Sequence, residues 1–393
     1  MRKLAILVCL LALACERKPE APPPPPKPVI QVEPDPDAEN LLSLAYGASV
    51  VSRTGELNLE SSAAHAIDNM APTAWVSSPG APDEVVVYSL LAPAKLTRIG
   101  VTLNQGDRVP RAIAFDTSAD GKKWRELITV EPANTDSRQL WPVQEVVAQY
   151  IRVRSLEKEK YYVRVRNFHA IGNEVAPPAT PPFTGCWTIN GLRADIRQEG
   201  ARITGIIEAK TPIFIDGGTD NRVALAMWQQ GPSWGYAALT RTPDGAHLTG
   251  MRIYEEFDVR NAADAWFGVK CGGPIGRIGP IGPIRPMSLY GLVFDPNDKL
   301  VESLSAAQLD AIVPLLREQK ARIISHELRY DTAEENRKHT AARIESLRAA
   351  LRARGVNVDR IEFVAAGSDW AGPSIYTTIQ RLLASRVELS LGT

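Results

Sequence analysis

The 393-residue chain has little of what enzymes and nucleic-acid binders use. Lys+Arg and Asp+Glu both number 45, so the formal net charge is zero and the basic excess of a nucleic-acid binder is missing. Five histidines and four cysteines leave little material for a multi-metal centre. The histidines (His65, His169, His247, His326 and His339) are scattered without ligand spacing, and no nucleophile pairs with a base. No apolar run reaches the ~18–20 residues of a membrane-spanning helix. These absences predict a protein that is not an enzyme, has no catalytic residues and takes no nucleic acid. What the chain does have is proline: 30 residues, clustered, which predict linkers between folded parts.

The first residues read as a targeting segment. Met1-Arg2-Lys3 is cationic, and the apolar run from Leu4 to Ala14 has the length of a signal-peptide core. Leu13-Ala14-Cys15 followed by polar Glu16 resembles a bacterial lipobox, although Ala12 and Leu13 interchange the usual bulky and small residues. That resemblance implies lipid on Cys15, membrane attachment through the acyl chains and outer-membrane delivery. The folded part is then expected to face the periplasm rather than the cell surface. An ordinary secretory signal with a chance cysteine is the alternative. The expected organisation is a signal peptide (1–14), a lipid anchor and Pro-rich linker (15–39), a first unit (40–175), a Pro-rich linker (176–183), a second unit (184–272), a Gly/Pro-rich linker (273–286) and a third unit (287–393). The Pro-rich stretches lack donors and have fixed φ, so they are expected as extended spacers.

In the first unit, short β-rich runs (84–88, 96–101, 112–115 and 150–153) alternate with turn residues, which predicts an all-β sandwich. Three motifs carry a resemblance to factor V/VIII type C (discoidin) and galactose-binding-like modules. They are Ala66-Ile67-Asp68-Asn69 with Thr73-Ala74-Trp75, the hairpin Ser118-Ala119-Asp120-Gly121 with Trp124, and Ala148-Gln149-Tyr150-Ile151-Arg152-Val153. Asn69 stands where the family has Gly, and Asn also adopts positive φ. The resemblance implies a structural calcium ion held by Asp68, Thr73 and Glu174, whose oxygens suit a hard cation. The plainer reading is that Asp68 caps a turn. Sugar binding in such modules uses loop aromatics and Arg, but no such cluster is evident; Trp75, Trp124 and Trp141 read as core.

With Cys9 in the signal segment and Cys15 lipidated, Cys186 and Cys271 remain, at the two ends of a β-rich segment. In an oxidising compartment they are expected to form a disulfide. Recurring strand–turn–strand patterns between them resemble a lipocalin- or avidin-like meander barrel. Gly231-Pro232-Ser233-Trp234-Gly235 fits the G-x-S-x-G of a hydrolase elbow, but the following residues read as strand, where that motif needs a helix. Turn residues explain it better.

The third unit alternates strand and helix, an α+β pattern. Leu289 to Phe294 reads as strand, Ser305 as the cap of a helix, Arg322 to His326 as strand, Thr332 as the cap of a long helix, and Arg360–Val364 and Arg386–Leu391 as strands. Ser325-His326-Glu327-Leu328, Asn336, Thr340 to Arg343 and Gln380 to Glu388 resemble the OmpA/MotB-like peptidoglycan-associating domain. That family grips a peptide-stem carboxylate and ammonium with one Arg and one Asp. Arg343 and Asn336 match it, Leu328 occupies the Asp position, and Asp331 is the nearby acid that could substitute. The whole chain is thus expected to be multidomain: a discoidin-like sandwich, an all-β meander module and an α+β OmpA-like domain. The leading functional expectation is a lipoprotein tethering the outer membrane weakly to peptidoglycan while displaying β modules. The alternative is a glycan- or protein-binding lipoprotein whose third unit is a degenerate scaffold.

Overall fold

The computed structural model describes residues 40–70, 73–78, 85–104, 106, 109–156, 162–254, 264–276, 287–328, 332–369 and 378–392. Cys15, Asp331, the signal segment, the first linker and residues 277–286 lie outside them. Among the described residues, eight strands build the first unit: β1 (Ser49–Arg53), β2 (Trp75–Val76), β3 (Val85–Thr102), β4 (Ile113–Ser118), β5 (Arg125–Val130), β6 (Gln139–Ser155), β7 (Arg164–Val165) and β8 (Asn167–Glu174). The two runs at 84–88 and 96–101 are one strand, β3, rather than two. Its pairing with β6 breaks between Ser89 and Ala94, around Pro93, which cannot donate to a ladder and is tolerated at such irregularities. β3 and β6 both cross this bend, so one sheet folds over into two layers. β1, β4 and β5 extend the first layer, and β8 pairs with the second half of β3. Phe168 of β8 fills the space between them, with Trp75, Tyr88 and Phe115 at ring-centroid distances of 6.1, 6.0 and 6.1 Å.

The second unit is a closed antiparallel barrel. Its strands are β9 (Gly185–Ile189), β10 (Leu192–Glu199), β11 (Arg202–Ile207), β12 (Ile213–Thr219), β13 (Ala224–Gln230), β14 (Ser233–Arg241), β15 (His247–Tyr254) and β16 (Asp264–Lys270). They run as a meander, and β9 closes the barrel by pairing with both β10 and β16. Trp187, Trp228, Trp266 and Phe183 pack with small and branched residues in its interior core. The uninterrupted apolar runs of β13 and β14 have a physical reason. Ala224, Ala226, Trp228, Ala237 and Leu239 fill the barrel, while Val223, Met227, Tyr236 and Ala238 belong to a second core cluster that takes in the sandwich and Ile379 and Leu383 of the third unit. Both faces are buried, so the usual alternation is lost.

The third unit has a four-stranded sheet and three helices among the described residues: β17 (Met287–Ser288), α1 (Glu302–Glu318), β18 (Ala321–His326), α2 (Ala333–Ala353), β19 (Ile361–Gly367), α3 (Thr378–Ala384) and β20 (Val387–Leu391). The strand order is β17-β20-β18-β19, with β18 and β19 parallel across the α2 crossover. Thr332 caps α2 by accepting from the Glu335 amide at 3.1 Å. Two expectations are corrected. The strand at Leu289 to Phe294 shrinks to Met287–Ser288, and Leu289 to Leu292 form a turn. That turn lies against the barrel: a Cβ on Gly218 would sit 2.1 Å from the Tyr290 carbonyl, so only glycine allows the approach. Helix α1 begins at Glu302, before Ser305, whose hydroxyl instead accepts from the Val293 amide at 2.9 Å.

Residues 32–393 form one compact unit. The Ser49 and Thr240 hydroxyls bond at 2.8 Å, the Val50 amide donates to Thr249 at 2.8 Å, and the Ala201 amide donates to the Leu304 carbonyl at 3.0 Å. The proline-rich segment 176–183 is held as well. Arg241, fully buried at one end of the barrel, donates to the Pro181 carbonyl and lies 4.1 Å over the Phe183 ring. Burial lowers this guanidinium to about 10.

Candidate functional site

The motif at 66–75 folds into a buried loop organised by one carboxylate. Asp68 is fully buried; its Oδ1 accepts from the Met70 amide and the Thr73 hydroxyl, both at 2.8 Å, and its Oδ2 lies 2.9 Å from His65 Nδ1. Asn69 has the expected positive φ, 65°. Glu174, expected beside Asp68, instead clamps Arg222 of the barrel with both oxygens at 2.7 and 2.8 Å. The bond from Arg222 outweighs burial and holds the Glu174 carboxyl below its ordinary range. Asp68 and Thr73 therefore meet, but neither shares a partner with Glu174, and their oxygens already serve protein groups. The three do not fit a calcium site as placed. Among the described residues no group of three His, Cys, Asp or Glu side chains could hold a metal ion.

The hairpin motif is a local staple. Ser118 Oγ accepts from the Gly121 amide at 3.0 Å, and Asp120 accepts from the amides of Lys122 and Lys123 at 2.9 and 2.8 Å. The Lys123 and Lys122 amides hold the Asp120 carboxyl at about 2. Trp75 is core, Trp141 packs half-buried on it, and Trp124 lies under Arg152 at 4.7 Å.

Where the sandwich meets the barrel there is an open groove of about 600 Å3. One wall is the end of β1 and the loop after it, with Arg53 and Glu56, joined by Ser78 after β2; the other is β15–β16, with His247, Phe267 and Val269. The Arg53 guanidinium lies 3.5 Å above the Phe267 ring, and its Nε donates to Glu56. Glu56 also accepts from the Ala63 amide at 2.8 Å. The two walls come from segments nearly 200 residues apart, and no local motif marks them.

In the third unit Arg343 is enclosed. Its side chain is 8% exposed; Nε donates to Asp298 Oδ1 at 2.9 Å and Nη1 to Glu327 Oε2 at 2.5 Å. Glu327 is fully buried and also accepts from the Leu328 amide at 2.9 Å and the Ser385 hydroxyl at 2.7 Å. Asp298 in turn meets His339 Nδ1 at 2.5 Å. Asn336 and Leu328 are both buried. Sequence reasoning passed over Glu327 and Asp298, although Glu327 directly precedes Leu328 in the quoted motif. A cavity of about 210 Å3 adjoins Arg343, walled by Thr219 and Asp220 of the barrel and by Leu292, Phe294 and Arg386. Nearby, Glu388 is held at about 2: burial raises it, but His326 at 3.5 Å and Arg386 at 2.5 Å outweigh burial.

Gly231, at φ 59°, and Pro232 form the turn between β13 and β14, and exposed Ser233, paired to Gln230, begins β14, so no strand–helix elbow exists there. Cys186 and Cys271 are bridged, with Cα atoms 5.3 Å apart.

No curated protein matches the sequence. Among solved structures, the C-terminal domain of a chitobiase from Bacteroides fragilis is similar at 20% identity, covering 33% of this chain and 96% of its own, with a TM-score of 0.31. A CBM32 module of a family 31 glycoside hydrolase from Clostridium perfringens is similar at 18% identity, covering 33% and 93%, with a TM-score of 0.31. A chitosan-binding module of a chitosanase/glucanase from Paenibacillus sp. IK-5 is similar at 18% identity, covering 33% and 98%, with a TM-score of 0.29. The F5/8 type C domain family model matches residues 48–167, the span that holds β1 to β7 and the three motifs. Residues 48–167 are an F5/8 type C domain.

Proposed function

We propose that this protein is a non-enzymatic, lipid-anchored envelope protein that binds glycan through its F5/8 type C part, with the C-terminal unit kept as a scaffold. The observation that carries this reading is the state of Arg343. Two internal carboxylates, Asp298 and Glu327, already surround the guanidinium that would have to grip a cell-wall carboxylate. A third would meet like charge in a buried place, where repulsion is least screened. Leu328, buried at the position of the family's acid, offers nothing to an ammonium. Those two features support an OmpA-like fold that has turned its binding side chains inward, and they favour glycan recognition over tethering. Lipidation of Cys15, outer-membrane placement and a periplasm-facing orientation belong to the same reading.

Two measurements test it. The full-length protein should be retained by saccharides on a glycan array and should fail to co-sediment with purified peptidoglycan sacculi. Sedimentation with sacculi without any array retention would overturn the proposal in favour of the tether. For the anchor, Cys15→Ser should move the protein from the membrane to the soluble fraction; unchanged fractionation would remove the lipid.

A further inference from the structure

The groove between sandwich and barrel contains a charged group with an unused recognition edge. A guanidinium can present two bidentate edges to planar acceptors. On Arg53 the Nε side is turned to Glu56, and among the described residues neither Nη has a hydrogen-bond partner. The Arg53 side chain is 30% exposed and lines the groove. Phe267 beneath the guanidinium plane and Glu56 beside it fix the group before any ligand arrives, which reduces the ordering cost of binding. Glu56 is itself occupied on both oxygens, by Arg53 and by the Ala63 amide. The groove therefore offers a fixed Nη edge, with the single Glu56 carboxylate held on the opposite, Nε edge of the guanidinium.

The remaining surface suits a sugar ring. Val269, 54% exposed, gives an apolar wall for C–H faces, and Ser78 and His247 also line the groove. A volume of about 600 Å3 lies within the ~300–1,000 Å3 of small-molecule sites. The walls are held in place by the Ser49–Thr240, Val50–Thr249 and Glu174–Arg222 bonds, so the groove exists before binding. His247, Phe267 and Val269 all lie outside the matched residues 48–167.

We infer that this groove is a composite saccharide site, built by the F5/8 type C domain and the barrel together, and that its sugar carries a carboxylate read by the Nη edge of Arg53. The inference rests on the glycan reading and adds both place and ligand class to it. Calorimetric titration of the full-length protein with a hexuronate tetrasaccharide and with its methyl ester tests it. The acid should bind about 10-fold or more tighter than the ester, the worth of a charge-assisted pair. Arg53→Lys, which keeps the charge and loses the fork, should erase that difference. Val269→Glu on the exposed rim should weaken the acid by about 10-fold or more with an unchanged melting temperature. Equal binding of acid and ester by the native protein would overturn the carboxylate and leave glycan binding standing. Native affinity for the acid in both variants would remove the groove as the site. Failure to retain any saccharide, charged or neutral, would overturn this inference and the glycan reading together.

Discussion

Replacing Cys186 and Cys271 by serine is expected to lower the stability of the protein by about 4–5 kcal/mol, the chain-entropy value for a loop of this size. The bridge spans 85 positions and joins the first barrel strand to the residue after the last. Those two strands, β9 and β16, form the seam that closes the barrel, and only three residue pairs hold it: Gly268–Ile189, Val269–Thr188 and Lys270–Trp187. The seams on either side are longer, with five pairs between β9 and β10 and six between β15 and β16. The covalent link thus lies at the barrel's shortest seam, next to the Cys271 amide bonded to the Cys186 carbonyl at 2.9 Å. Chemical denaturation with and without reductant checks it. The reduced native protein and the double serine variant should share a lowered midpoint, and amide exchange should rise first in β9 and β16. Stability indifferent to reductant would refute the expectation.

Arg343→Ala should cost about 3–5 kcal/mol, because it strands two carboxylates in the interior. Glu327 is fully buried and Asp298 nearly so; both pair with the guanidinium, and Asp298 also meets His339. Arg343→Ala combined with Glu327→Leu should recover part of that loss, since removing both partners of a buried pair leaves less uncompensated charge than removing one. Thermal unfolding of the single and double variants measures this. A single variant as stable as the native protein would show that the network adds nothing. The expected result also governs how binding data on Arg343 are read. A loss of binding in Arg343→Ala would accompany a damaged fold, so the melting temperature has to be recorded with it.

What could be read from the sequence follows from how local the interactions are. The Ser118–Lys123 hairpin and the Asp68–Thr73 loop close on themselves within six residues, and their side chains do what their spacing predicted for turns. The Cys186–Cys271 pairing was legible because elimination left one pair. Glu174 was not: its partner Arg222 belongs to another module, and nothing near either residue announces the contact. The same holds for Arg53 and Phe267. The missing strand at Leu289 to Phe294 has the opposite cause. Its composition is strand-like, but the barrel at Gly218 imposes a turn there, a tertiary override of local preference. Arg343 was singled out by motif, but its two carboxylate partners come from a turn 45 residues earlier and a strand end 16 residues earlier.

The double-sided burial of β13 and β14 bears on how such a chain could have been assembled and altered. Proline tracts between modules suggest cassettes that can be exchanged one for another. Here the barrel's outer face is part of a core cluster shared with the sandwich and with α3, through Val223, Met227, Tyr236 and Ala238. The tract at 176–183 is fastened to Arg241 rather than left to swing. A cassette lifted out at that tract would expose an apolar face on each side of the cut, with the aggregation that follows. Changes on that shared wall must satisfy two cores at once, so the modules are bound to vary together.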